Sequence, residues 1–164
     1  LTEFFYPPSI FLPLDINNID IVQPAGSNVT VTKTENKIQF LKSGIDGTFH
    51  FVACKPALDS SGEGSFWKVT IDALRTNYKW LYLGIIGNLA ASNGSSHTNS
   101  TSYGWASNSQ VYHGGTNRSG DSGWTGFTQG ECLHFHLTAK ILTMFSVQKN
   151  HKCTMDVATT VDAY

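Results

Sequence analysis

YGWASNSQVYHGG at 103–115 and, after a polar loop, GWTGFTQGECLHFHLTAKILTMFSVQKNHKCTMDV at 123–157 decide the fold of this chain. The second part contains three strand-like segments in a row, at 132–137, 142–147 and 153–157. In the first of them, Leu, Phe and Leu alternate with Cys, His and His, which is the period of a half-buried strand. Because the turns between the segments are short, consecutive strands must reverse direction. The stretch therefore predicts an antiparallel meander and an all-β fold.

Shorter strand-like segments precede the meander. The sequence predicts strands at 29–33, 37–41, 48–54, 66–71, 80–86, 103–106, 110–113 and 124–127, with a further short strand within 16–22. If consecutive strands are antiparallel, alternate connections lie at the same end of the sheets. The three longest polar loops, Lys55–Ser65, Leu89–Ser102 and Gly114–Gly123, are then all expected at one end. Long loops on a rigid scaffold are a common place for a recognition surface.

Length and composition limit the function classes. The 164 residues are enough for one domain with its own core, which we place at 28–164, after an extended arm at 1–27 in which Pro7, Pro8 and Pro13 exclude a long helix. Charged residues make up 14% and the formal net charge is −1, so we expect no nucleic-acid partner and no membrane partner. Because the first residue is Leu1 rather than Met, we expect the chain to be part of a longer one, and we further expect the domain to be monomeric.

Cysteine usage and glycosylation motifs point to different compartments. Cys54, Cys132 and Cys153 are odd in number and lie in apolar strand contexts, which favours reduced thiols in a cytoplasmic protein. Four glycosylation sequons point the other way, but they are only a mild excess over chance. They begin at Asn28, Asn93, Asn99 and Asn117. We expect a cytoplasmic location and leave the use of the sequons open.

The order of these segments resembles that of a SPRY domain, the core of the B30.2 module. The resemblance runs from Asn28 to Val157 through FWKVTI, WLYLGII, a long polar loop, YGWASNSQVYHGG, GWTGF-x-x-GE and the meander. The N-terminal arm does not resemble a PRY segment. The resemblance implies a bent, concanavalin-like β-sandwich of two antiparallel sheets that binds protein partners through loops at one end, without catalysis. Such modules often belong to adaptor or ubiquitin-ligase proteins.

Aromatic and charged residues in and beside these loops are the candidates for partner binding. They are Tyr112, His113, Arg118, Asp121, Trp105 and Trp124. Aromatic residues and arginine are enriched in binding hot spots because they combine contact area with directed hydrogen bonds. For the two tryptophans the alternative is a place in the core, and for Arg118 and Asp121 it is a solvated pair of little energetic weight.

Motifs for catalysis or for a cofactor are weak. His134 and His136 share one strand face and could bind a metal together, but no third ligand is identifiable by spacing. Glu63, Asp121 and Glu131 are carboxylates near the long loops, and none has the setting of a glycosidase pair. For Glu131 we favour a structural role, in which it accepts backbone N–H bonds of its own turn. We expect no enzyme, no cofactor and no metal site.

Three function classes are compatible with these sequence features. The leading one is a protein-interaction module that recognises a peptide or a folded partner. The alternative is a lectin-like carbohydrate-binding sandwich, for which Asn117 with Asp121 is the one faint calcium candidate. A self-assembly domain that pairs through edge strands is the third.

Overall fold

A computed structural model of the chain describes residues 16–24, 26–42, 49–55, 57–74, 80–89, 95–158 and 163–164. Within these ranges all regular structure is β-strand or short 3-10 helix. None of the helices in the described ranges is long and apolar enough to cross a membrane. The strands are β1 (Asp20–Val22), β2 (Val29–Lys33), β3 (Ile38–Lys42), β4 (Ala53–Lys55), β5 (Ser65–Thr70), β6 (Tyr82–Ile86), β7 (Ser102–Ala106), β8 (Val111–His113), β9 (Thr116–Asn117), β10 (Cys132–Leu137), β11 (Ile141–Ser146) and β12 (His151–Asp156).

The strands form two four-stranded and two two-stranded sheets, and every pairing is antiparallel. One large sheet has the order β12-β11-β10-β5 and the other has the order β6-β7-β8-β9. The small sheets pair β1 with β4 and β2 with β3. Strand β1 comes from the expected N-terminal arm, so residues 20–22 of that arm pair with the sandwich strand at 53–55. Residues 1–15 of the arm lie outside the described ranges.

The meander predicted from the sequence is confirmed as β10, β11 and β12. Leu133, Phe135 and Leu137 are at most 2% exposed, whereas the two histidines between them are half-buried on the opposite face. This alternation follows from the pleat, which turns successive side chains to opposite sides of a strand. The inward residues of the meander therefore form one wall of the core.

The second wall comes from the sheet that contains β6, β7 and β8. Ile85, Trp105 and Val111 belong to the same buried cluster as the inward residues of β10, and the rings of Trp105 and Phe135 lie 6.2 Å apart. Trp67 of β5 packs against this cluster with its ring stacked on Phe135, as the alternation of its strand predicts. Two sheets that bury their apolar faces against each other confirm the predicted all-β sandwich.

The pairing of β6 with β7 depends on two facing glycines. A Cβ atom at Gly84 would lie 2.1 Å from the carbonyl oxygen of Tyr103 and 2.7 Å from the Cα atom of Gly104. No other residue type fits at such a distance from the backbone. These glycines allow the backbones of β6 and β7 to approach closely.

One predicted strand, 124–127, is wrong. Trp124 and Phe127 are buried, but the segment pairs with no strand and contains Gly126 at a φ of 103°, which an ordinary strand does not adopt. Its apolar residues fill the core from an irregular connection. The apolar content of a segment therefore does not by itself distinguish a strand from a buried irregular connection.

The prediction that Gly114–Gly123 lies at the same end of the sandwich as Leu89–Ser102, of which the structure describes 89 and 95–102, is only half right. The turn at Gly114–Gly115 does lie there, because the Gly115 N–H donates to the carbonyl of Ser102. Strand β9, which the sequence did not predict, then reverses the chain. Arg118 N–H donates to the carbonyl of Val111 and Gly120 N–H to that of Ser109, so the second half of the segment runs back towards the opposite end of β8.

Candidate interaction site

Strand β8 separates the predicted site residues. Val111 faces the core, His113 lies on the same side of the strand, and Tyr112 lies on the outer face. Tyr112 and His113 are neighbours in sequence but occupy opposite sides of the sheet, as the period of a strand requires. The predicted set therefore divides into two separate places.

Trp105 and Trp124 do not belong to an interaction surface, which corrects their place among the predicted site residues. They are 0% and 2% exposed. The indole N–H of Trp124 donates to the carbonyl of Ala106 at 2.7 Å, and the ammonium group of Lys149 lies 4.9 Å from the ring centre. Burial and these contacts assign both tryptophans to the core, the alternative that the sequence left open.

His113 and Asp121 form a close pair on the core side of β8. His113 Nε2 lies 3.2 Å from Asp121 Oδ2, and the other carboxylate oxygen accepts the N–H of Ser122. Partial burial, together with the positive charge of Arg118, lowers the pKa of His113, although Asp121 and Asp156 act in the opposite direction. The imidazole is therefore neutral at neutral pH and donates one hydrogen bond to the carboxylate. The guanidinium of Arg118 is exposed.

Tyr112 belongs to a group of aromatic rings on the outer face of the sheet β6-β7-β8-β9, which we call the aromatic surface. Its members are Phe49, Trp80, Tyr82, His97 and Tyr112. The ring centres of neighbouring members are 4.6–6.4 Å apart, within the range of favourable aromatic contacts. The segment that begins at Ser95 folds back over the sheet and places the His97 ring among the others.

Burial differs across the aromatic surface. Tyr112 is only 6% exposed and forms the base of the aromatic surface. Phe49 is 48% exposed, and its ring contacts the half-buried Trp80 at an interplanar angle of 51°. The indole N–H of Trp80 donates to Gln110 Oε1 at 2.6 Å, which fixes the ring. The surface thus presents an exposed ring on a rigid support.

The aromatic surface carries no charge at neutral pH. Burial raises the pKa of Tyr82, whose hydroxyl also lies 2.8 Å from the hydroxyl of Ser102, and burial raises the pKa of Tyr112. Burial lowers the pKa of His97. All three groups therefore stay neutral. A ligand that covers this surface does not have to desolvate a charged group on these rings.

Sequence reasoning missed Phe49, Trp80, Tyr82 and His97. Trp80 and Tyr82 are two apart, so they share a face of β6 or its extension, but the surrounding WLYLGII is apolar on both faces and suggested a buried central strand. His97 gave no signal, because it lies in a polar loop. Its place depends on how that loop folds back.

Glu131 has the structural role that the sequence favoured. It is 0% exposed, and its Oε2 atom accepts bonds from the N–H of Thr128 at 2.7 Å, from the Thr128 hydroxyl at 3.0 Å and from Lys149 Nζ at 3.1 Å. Its Oε1 atom accepts the hydroxyl of Ser146 at 2.5 Å. Burial by itself raises the pKa of this carboxyl, but the hydrogen bonds outweigh it and hold the pKa below its ordinary value. Glu131 is thus an internal anion, inaccessible to a substrate.

Other polar groups that the sequence singled out are occupied by local contacts. His136 Nε2 lies 2.8 Å from the carbonyl of Glu63, and its ring stacks on Phe66 at 3.7 Å. Asn117 Oδ1 accepts the hydroxyl of Ser119. Among the residues that the structure describes, no group of three or more His, Cys, Asp and Glu side chains is placed to hold a metal ion.

No protein-family model matches the chain, and comparison with curated proteins and with solved structures finds no match. Function must therefore be argued from the geometry and from the pattern of the sequence.

Proposed function

We propose that this chain is a non-catalytic protein-interaction module that takes up a peptide or a folded partner on the aromatic surface and the adjoining loop segment at 95–101. One observation carries the proposal. Phe49 leaves about half of its surface in water while it rests on fixed aromatic neighbours. An exposed large apolar ring on a rigid base is the usual form of a binding anchor.

The energetics of such a surface favour binding. A ligand that covers Phe49 and the edge of Trp80 removes apolar area from water, which contributes about 25 cal/mol per Å². Trp80 already donates its indole N–H to Gln110, so little side-chain entropy is lost when a partner binds. The polar loop beside the rings supplies hydrogen bonds at the rim, where specificity is set.

The sequence pattern supports the same class of function. The order of strands and turns resembles a SPRY domain, and we propose that the module is the recognition part of a larger adaptor or ubiquitin-ligase protein. We further propose a cytoplasmic location, since Cys54, Cys132 and Cys153 are all free. Burial raises the pKa of Cys153 to about 11, so this thiol is unreactive at neutral pH.

A second candidate is a carbohydrate-binding module, and the same exposed ring favours it. Aromatic rings pack against the apolar faces of sugars, and Phe49 with Trp80 offers two rings 4.6 Å apart. Because the described residues contain no cluster of metal-ligating groups, this alternative is proposed without calcium.

A peptide-display selection tests the proposal. Random peptides are selected against the wild-type domain and against Phe49→Ser. We expect a convergent motif that binds the wild type and loses roughly tenfold or more in affinity on Phe49→Ser, as for truncation of a hot-spot residue. Phe49 is exposed, so its replacement leaves the fold intact. Tyr112 is a poorer test, because its removal would disturb a buried ring.

The matched control is Val147→Ser, which removes an equally exposed apolar side chain (44%) from the β11–β12 turn of the other sheet. Peptides must bind this variant as they bind the wild type. Equal binding to Phe49→Ser and the wild type contradicts the proposed surface. A third outcome is that no peptide is enriched, while the wild type binds a glycan array and Phe49→Ser does not. This outcome contradicts the protein partner and supports the carbohydrate-binding alternative.

A further inference from the structure

A cleft of about 260 Å³ lies between the end of β8 and the edge of the other sheet. Its lining includes His113, Asp121, Ile141, Met155 and Asp156. The cleft lies on the opposite side of β8 from the aromatic surface. It is smaller than the roughly 300–1,000 Å³ of pockets that enclose a whole small-molecule ligand, and suits a single long side chain.

The walls of this cleft are held in place by hydrogen bonds. Asp121 is bound to His113 Nε2, and the N–H of Ser122 donates to the same carboxylate. The carbonyl of Ser122 lies 2.9 Å from His151 Nε2, which ties the segment to the start of β12. The site is therefore preformed, which limits the entropy lost on binding.

The lining combines negative charge with apolar surface. Asp156 forms no ion pair with any residue in the ranges that the structure describes, and its charge acts on His113 together with that of Asp121. Asp121 still has room for further bonds, since a carboxylate accepts about four. Ile141 is 43% exposed, far more than an isoleucine in a core, and it lies opposite Asp156 in the pairing of β11 with β12, whereas Met155 also lines the cleft but is only 4% exposed.

We propose that this cleft binds the arginine side chain of a partner protein. The aliphatic stem of the arginine would lie against the exposed Ile141, and its guanidinium would bridge the carboxylates of Asp121 and Asp156. A guanidinium fits better than an ammonium group because its five N–H donors point in several directions and can serve two acceptors on separate elements.

The position of Arg118 is consistent with this assignment. Among the described residues, Arg118 is close enough to affect His113, but its exposed side chain is bonded to neither aspartate. The positive charge of Arg118 weakly opposes the binding of another cation in the cleft. Its removal should therefore strengthen binding of a cation rather than weaken it.

This inference deepens the proposed function and rests on it only for the claim that the arginine belongs to a partner. The test addresses the cleft directly. The ¹⁵N-labelled domain is titrated with butylguanidinium and, separately, with butylammonium, and amide shifts are followed by NMR. We expect saturable shifts at 154–156 and 141 with butylguanidinium, and several-fold weaker binding of butylammonium.

Variants identify the groups responsible. Asp156→Asn should weaken butylguanidinium binding about fivefold, which corresponds to the upper end of the usual strength of an exposed ion pair. Arg118→Ala should tighten binding. Asp72→Asn makes the same charge change at an exposed position beyond the far end of β5 and should leave binding unchanged.

Three results overturn the inference. They are shifts that spread over the surface without saturation, equal weakening by Asp156→Asn and Asp72→Asn, and butylammonium binding as tight as butylguanidinium. Loss of peptide binding to the aromatic surface is measured separately with Phe49→Ser. Failure of the cleft and failure of the proposed function are therefore distinguishable.

Discussion

Replacement of Glu131 by Gln tests whether an internal ion pair and its hydrogen bonds hold together the turn that precedes the meander. Glutamine keeps the shape of the side chain. If its NH₂ group takes the place of Oε1, the hydroxyl of Ser146 can rotate to accept from it, and the amide oxygen still accepts from Thr128 and Lys149. The variant therefore loses the charge, and the three donors at Oε2 keep an acceptor, while the hydroxyl hydrogen of Ser146 loses its acceptor at Oε1.

The magnitude follows from the three bonds at Oε2. Hydrogen bonds to charged groups contribute about 1.5–3 kcal/mol and neutral ones about 0.5–1.5 kcal/mol, a difference of about 1 kcal/mol per bond. Conversion of the three bonds at Oε2 from a charged to a neutral acceptor therefore costs about 3 kcal/mol in total. Lys149 keeps its bond to the carbonyl of Gly126 and its place over the Trp124 ring, which limits the cost. We expect Glu131→Gln to lower the free energy of unfolding at pH 7 by about this amount.

The effect must also depend on pH. The pKa of Glu131 is lowered in the folded state, so its stabilisation is fully present above the ordinary value of 4.5 and is lost as pH falls through the folded-state pKa. In urea titrations followed by tryptophan fluorescence, the difference between wild type and variant should shrink as pH falls below 4.5. A difference under about 1 kcal/mol at pH 7, or one that is the same at pH 7 and pH 3, would refute this account of the network.

Two further variants test the packing of the sandwich. Gly84→Ala forces a Cβ atom to within 2.1 Å of a backbone oxygen of β7, so we expect a loss of about 3 kcal/mol or more in urea unfolding; a variant as stable as the wild type would contradict the close approach of β6 and β7. Trp67→Ala removes a ring stacked on the core and should cost about 3 kcal/mol, while exposed Arg118→Ala should leave the melting temperature nearly unchanged. The reverse order of these two effects would show that core and surface are assigned wrongly.

Much of the fold could be predicted because alternation is a local property. The period of two at 132–137 is visible in the sequence, and it determines which residues of β10 face the core. The segment 124–127 could not be predicted in the same way. Its apolar residues are buried from an irregular connection whose path depends on the bond from the Trp124 indole to Ala106 and on the positive φ of Gly126. Neither feature leaves a periodic signal.

The site was harder to predict than the fold because it depends on where neighbouring residues of one short strand point. Tyr112 and His113 were grouped as members of one loop rim, but once β8 extends through both of them they must face opposite sides. One then packs beside His97 and the other beside Asp121, and each of these neighbours comes from a loop whose path no pattern reveals. The prediction therefore identified the correct strand, but it assigned residues from the two opposite faces of that strand to a single site. A partner that uses both must pass around the edge of the sheet at β9, since β8 itself lies between them.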